Sequence, residues 1–109
     1  MASRIKEAIN IIKNNDRGGY TVPTNRLYPY QWNWDSGFTA LGIWHFSKWR
    51  AWLEITSLLD AQWEDGMVPH IIFRRNDPDY FPGPDVWKTN TEPPTSGHSQ
   101  PPVLASIVL

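Results

Sequence analysis

The sequence predicts a mainly helical fold, built of helical hairpins with long loops gathered on one side. Two observations carry that expectation. Apolar residues recur at helical spacing in successive stretches of the first 63 residues, and a proline-rich segment without helical period separates them from a last apolar helical run. The chain has 109 residues, enough for one small domain, and no internal sequence repeat.

The first helix is expected over Ser3 to Asn15. Ser3 is a suitable cap, and Ile5, Ala8, Ile9 and Ile12 fall at i, i+3, i+4 and i+7. Asn14-Asn15-Asp16 and Gly18-Gly19 stop it. Tyr20 to Trp34 then reads as extended or looped, punctuated by Pro23 and Pro29. Asp35 or Ser36 is a natural cap for a second helix over roughly Gly37 to Phe46, and Ser47 for a third over roughly Lys48 to Trp63. In the third, Trp49, Trp52, Ile55, Leu59 and Trp63 keep helical spacing. The second and third helices form either one kinked rod or a hairpin. Met67 to Phe73 reads as a short strand, and the segment up to Gln100 as a long loop rich in proline and aromatic residues. Such a loop in a small domain points to binding. Pro101-Pro102 opens a fourth helix. That helix stops on a nearly all-apolar run without a cap, so the chain is expected to be the N-terminal quarter or so of a longer one.

Composition excludes several classes. Ten basic and eleven acidic residues give a formal net charge of −1, which offers no electrostatic case for nucleic acid or an anionic membrane. Without cysteine there is no disulfide framework or thiolate site. The N-terminus mixes charges among its apolar residues and does not read as a signal peptide, so a cytoplasmic setting is expected. His45, His70 and His98 have no metal-ligand spacing, and the acids of Asp77 to Asp85 do not follow a calcium-loop pattern, so neither metal nor cofactor is expected. Arg74-Arg75 reads as a solvated basic pair. Neither a nucleophile elbow nor a phosphate loop is present.

The seven tryptophans imply a large core or a ring-lined cleft. Tyr28, Tyr30, Trp32 and Trp34 occupy alternate positions, and Asp35 follows. In extended backbone they share one face, a wall of rings ending in a carboxylate. Read from the residues alone, two accounts stay open. The rings pack beneath helices while Asp35 caps one, or the wall stacks on the apolar face of a sugar while Asp35 binds its hydroxyls. Tyr80 and Phe81 stand at the tip of a loop stiffened by Pro78, Pro82 and Pro84. No convincing second carboxylate joins Asp35 as a general acid–base pair.

Four blocks resemble a known family in order and at sensible spacing, over nearly the whole chain. They are Tyr28-Pro29-Tyr30-Gln31-Trp32-Asn33-Trp34-Asp35-Ser36-Gly37-Phe38, Asp65-Gly66-Met67-Val68-Pro69-His70-Ile71, Tyr80-Phe81-Pro82-Gly83-Pro84, and Ser96-Gly97-His98-Ser99-Gln100-Pro101-Pro102. The set resembles bacterial mannosylglycerate and glucosylglycerate hydrolases, grouped with glycoside hydrolase family 63 and its trehalase-like relatives. The resemblance implies part of an (α/α)6 barrel, residues 1–109 being an incomplete N-terminal portion of one catalytic domain. It implies an inverting mechanism on a small α-glycoside, with both catalytic carboxylates beyond Leu109 and none in this chain. It further implies that Tyr28, Trp32, Asn33, Trp34, Asp35, Tyr80 and Gln100 bind substrate, with His70 a weaker candidate. The alternatives are a trehalase or oligosaccharide glucosidase of the same fold, a non-catalytic carbohydrate-binding module, and a helical interaction domain with an aromatic core. The acceptor sugar acid, the anomeric linkage and the oligomeric state are not readable from the sequence.

Overall fold

A computed structural model describes residues 2–109. Its elements are helix α1 (Ala2–Asn15), strand β1 (Gln31–Trp32), helices α2 (Asn33–Trp44) and α3 (Lys48–Leu59), strand β2 (Ile71–Ile72), and the short helices α4 (Pro84–Trp87) and α5 (Leu104–Val108). The fold is mostly helical with one small antiparallel sheet, in line with the helical spacing; of the strand expected over Met67 to Phe73, only Ile71–Ile72 forms.

Helices α2 and α3 form a hairpin, which resolves the choice between a kinked rod and a turn. His45 to Ser47 link them, and the Ser47 hydroxyl accepts the Arg50 N–H at 3.2 Å as the third helix's cap. Small residues let the two helices approach. The buried face of α2 is Asn33, Ser36, Gly37, Ala40 and Ile43, and that of α3 is Arg50, Ala51, Glu54, Ile55 and Leu58. At Gly37 a Cβ would lie 2.7 Å from Ile107 Cδ1, so its absence lets α5 rest on α2. The Trp44 and Trp52 rings meet edge to face at 6.5 Å near the turn of the hairpin.

The helices depart from expectation most plainly in α2 and α3, and Ser3 lies within α1 while the last helix starts at Leu104 rather than Pro101. The apolar stripe of α3 divides: Trp49 is 73% exposed and Trp52 and Leu59 are also exposed, while Ile55 is buried together with Arg50 and Glu54. The helix stops at Leu59 rather than Trp63, because a turn at Asp60 and Ala61 hands the chain toward β2. Neither Asp35 nor Ser36 caps α2. That helix begins at Asn33, its cap position is Trp32 without a side-chain bond, and Asp35 falls inside the first turn.

Strand β1 pairs with β2 in antiparallel register, Gln31 opposite Ile72 and Trp32 opposite Ile71. Successive residues point to opposite faces, so the two pairs divide the core. Trp32 and Ile71 join Tyr30 and Phe73 on one side, with Tyr80 and Trp87 packed against them. Ile72 joins Leu58 and Ala61 on the other, beside Val68 and Leu104. A bridge from Ile72 to Thr95 ties the last loop to the sheet. No helix among the described residues is long and apolar enough to cross a membrane.

Candidate substrate-binding site

The alternating segment does not stay extended to its end. Tyr28 leads in as coil, Gln31 and Trp32 are strand, and the chain turns into helix at Asn33. Long-range bonds impose that turn: the Asn33 N–H donates to the His70 carbonyl at 2.9 Å, and the Trp34 N–H to Gln100 Oε1 at 2.9 Å. Gln100 thereby satisfies one of the first-turn donors that a helix leaves unpaired. The expected single row of rings therefore splits. Tyr30 is fully buried, its hydroxyl donating to the Asp77 carbonyl at 3.0 Å. Trp34 swings out on the helix and packs against Phe38 at 6.1 Å.

What remains is a compact ring cluster. Trp32 takes the edge of Tyr28 at 5.4 Å and that of Tyr80 at 5.5 Å, and Tyr30 backs Tyr80 at 5.3 Å. Tyr28 is exposed and Tyr80 half-buried, while Trp32 is buried. Edge-to-face packing fixes each ring through its neighbours. Tyr80 and Phe81 part company: Tyr80 enters the cluster, and Phe81 is 80% exposed.

Beside the cluster lies the start of α2. Asp35 is half-buried, and burial pushes its carboxyl above the ordinary carboxylate value; its own backbone N–H and the Trp34 side chain offset part of that rise. Asn33 is buried, its amide nitrogen donating to the Val68 carbonyl at 3.2 Å, and its Oδ1 has no partner among the described residues. A buried acceptor without a partner is costly unless a ligand or water meets it.

His70 reaches the same region from another side. Its ring stacks on His98 at 4.0 Å with 8° between planes, and both rings sit edge-on to Trp87, at 5.6 and 4.9 Å. Burial lowers the His70 pKa, the neighbouring His98 lowers it further, and the His98 carbonyl partly restores it. No pattern in the sequence signals this stack, since the two histidines are 28 positions apart. His45 stands at the C-terminal cap of α2 and is exposed. Among the described residues no group of three or more His, Cys, Asp or Glu side chains is placed to hold a metal ion.

The site thus joins Tyr28, Trp32 and Tyr80 as rings, Trp34, Asp35 and Gln100 at a helix start, and Asn33 between them, with His70 behind. The distinct hollow between α2, α3 and α5, about 260 Å³ and lined by Leu41, Trp44, Trp52 and Ile107, contains none of these residues.

Residues 28–109 match the family described as "Mannosylglycerate hydrolase MGH1-like glycoside hydrolase domain". The chain is 50% identical to mannosylglycerate hydrolase MGH1 of Selaginella moellendorffii over 108 residues, covering 98% of this chain and 22% of that protein. It is 52% identical over 106 residues to the mannosylglycerate hydrolase of Thermus thermophilus, covering 94% of this chain and 25% of the other. Over 108 residues it is 44% identical to the glucosylglycerate hydrolase of Mycolicibacterium hassiacum, covering 93% of this chain and 24% of the other. The crystal structure of a family 63 mannosylglycerate hydrolase from Thermus thermophilus, in complex with Tris and D-glycerate, superposes with a TM-score of 0.90 at 51% identity, over 94% of this chain and 24% of that one. The chain therefore spans about a quarter of the length of the relatives it matches. The ordered blocks, the superposition and the match over residues 28–109 agree: this chain belongs to the mannosylglycerate hydrolase MGH1-like glycoside hydrolase family.

Proposed function

We propose that residues 1–109 are the N-terminal portion of a single catalytic domain with an (α/α)6 barrel fold, and that they supply part of the sugar-binding funnel of an inverting glycosidase. Its substrate is a small α-glycoside, glucosylglycerate or mannosylglycerate. Tyr28 and Tyr80 meet the sugar's C–H faces, and Trp32, buried beside both, holds the two rings in place. Asp35 and Asn33 take its hydroxyls, Trp34 and Gln100 close the rim, and His70 borders the site. The observation that carries this reading is the ring cluster set beside a helix start that bears Asp35. Rings give flat apolar area and the carboxylate gives directed acceptors, the pairing a polyol needs.

An inverting enzyme places a general acid and a general base on opposite faces of the scissile bond, with room for water between them. Among the described residues no carboxylate pairs with Asp35 in this way, and by resemblance to the family Asp35 binds and orients the sugar rather than cleaving. The two catalytic carboxylates belong to the remainder of the full-length protein. Names and likeness of the relatives support the substrate class.

The test is a substrate panel on the full-length protein: mannosylglycerate, glucosylglycerate, trehalose and a glucose oligosaccharide. Release of sugar from either glycerate glycoside, with inversion at the anomeric carbon and none from the isolated 109 residues, is the expected result. Turnover by the isolated chain would place the catalytic acids inside it and overturn the assignment.

A further inference from the structure

Glu54 is fully buried in the middle of α3, a place where a carboxylate is rare unless it is paired. Its Oε1 accepts the Thr21 N–H at 3.0 Å, the Thr21 hydroxyl at 2.7 Å and the Ser36 hydroxyl at 2.7 Å. Its Oε2 accepts Arg50 Nη1 at 2.9 Å. Arg50 also grips Asp16 with two parallel bonds, Nε to Oδ2 at 3.0 Å and Nη2 to Oδ1 at 2.9 Å. From Ser36 the chain of bonds continues. Gln31 Nε2 donates to Ser36 Oγ at 3.2 Å and to Ser57 Oγ at 3.1 Å. Gln31 Oε1 accepts Arg74 Nε at 3.0 Å and Nη2 at 2.8 Å, and Arg74 Nη2 also donates to the Ser57 carbonyl.

Gln31 and Ser36 are the two residues that flank Trp32-Asn33-Trp34-Asp35 in sequence. Both ends of the site segment are thus tied to one buried network drawn from the end of α1, from α3 and from the residue after Phe73. A buried ion pair is weak evidence for stability, since packed apolar side chains serve as well. A fully satisfied network is directional, and what it specifies is geometry. We propose that Glu54 is a positioning residue: through Ser36 and Gln31 it fixes where the Trp32–Asp35 segment stands against the bound sugar.

This rests on the functional reading above, and the experiment separates the two. Glu54→Gln keeps the side chain's shape but turns one acceptor into a donor facing Arg50 or Thr21, so it is expected to disturb folding. The deciding pair is Ser36→Ala and Thr21→Val in the full-length protein. Each removes one 2.7 Å hydroxyl bond to the same carboxylate oxygen, but only Ser36 adjoins the site segment. Ser36→Ala also removes the acceptor of Gln31 Nε2, so it is expected to lose somewhat more thermal stability than Thr21→Val. Ser36→Ala alone should raise KM for the glycerate glycoside, on the order of tenfold, with kcat much less changed, and should speed hydrogen exchange at the Asn33 and Trp34 amides. Equal KM and exchange effects in both variants, or none in either, would overturn the positioning role. If the wild-type protein hydrolyses neither glycoside, the functional reading falls while the exchange data still decide the role of Glu54.

Discussion

Asp35 carries the most chemistry of any single residue in the proposed site, and its environment ties that chemistry to pH. Burial holds its carboxyl above the ordinary value. Between that value and the raised one the folded chain binds more protons than the unfolded chain, so this residue's contribution to stability falls as pH rises through that window. Asp35→Asn should therefore have a higher melting temperature than the wild type above the window and none of that advantage below it. A lower melting temperature at neutral pH would contradict this. His70 has the opposite sign. Its folded pKa is depressed by burial and by His98, so the unfolded chain takes up protons first as pH falls, and stability is lost below the ordinary histidine value. The melting temperature should drop as pH falls through the ordinary histidine value, about 6.5, and His98→Gln should flatten that drop in part by removing the neighbouring ring that adds to the effect of burial. An unchanged slope would show that the stack does not couple them. Asp16 works in the same direction at lower pH. Burial raises its carboxyl, but the bonds from Arg50 and the Gly18 N–H and the Arg50 and Arg17 charges outweigh burial and hold it below the ordinary value. Its stabilisation is present above the ordinary carboxylate value and is lost as pH falls through the lowered one.

At the scale of elements, what the sequence showed was local and what it hid was not. Ser47 was legible as a cap because its partner, the Arg50 N–H, is three residues away. Ser47→Ala should cost about 1 kcal/mol in denaturant unfolding; a loss near zero would mean that the hairpin turn, and not the cap, fixes the start of α3. The stop after Asn15 and the short strand near Ile71 were legible for the same reason. The start of α2 was not. Asparagine, tryptophan and aspartate do not announce a helix after an extended run, and its first two amides are held by His70 and Gln100, far along the chain. The face of α3 was misjudged on physical grounds. Hydropathy selects Trp49 and Trp52 for the core, whereas Arg50 and Glu54 take it because Asp16, Thr21 and Ser36 satisfy them there. Arg74 was misjudged likewise: it is half-buried on Gln31, with its guanidinium 5.7 Å from the centre of the Tyr20 ring, not solvated with Arg75. Residue type is what nominates the candidate site members, since rings and a carboxylate at fixed spacing are visible in sequence. Their division into a ring cluster and a helix start was not, because the turn at Asn33 divides them.

Taken whole, the molecule leaves much apolar surface uncovered. Ile5 and Ile11 on α1, Leu41 and Trp44 on α2, and Trp49 and Trp52 on α3 are all exposed. Single exposed apolar residues are ordinary, but Leu41, Trp44 and Trp52 line one hollow with Ile107 and Val108, a contiguous patch of the kind that marks a contact surface. The isolated 109 residues should therefore bind a hydrophobic fluorescent dye strongly, and the full-length protein weakly per residue. Equal binding would mean that this face stays open in the complete fold. For the sugar site, the most direct test is the steady-state kinetics of Asp35→Asn in the full-length protein with mannosylglycerate and glucosylglycerate. If the carboxylate holds sugar hydroxyls beside the ring cluster, kcat/KM falls on the order of a hundredfold, as the loss of charge-assisted hydrogen bonds implies, while the fold is retained. If kcat/KM stays close to wild type, Asp35 does not touch the sugar and the binding surface lies elsewhere.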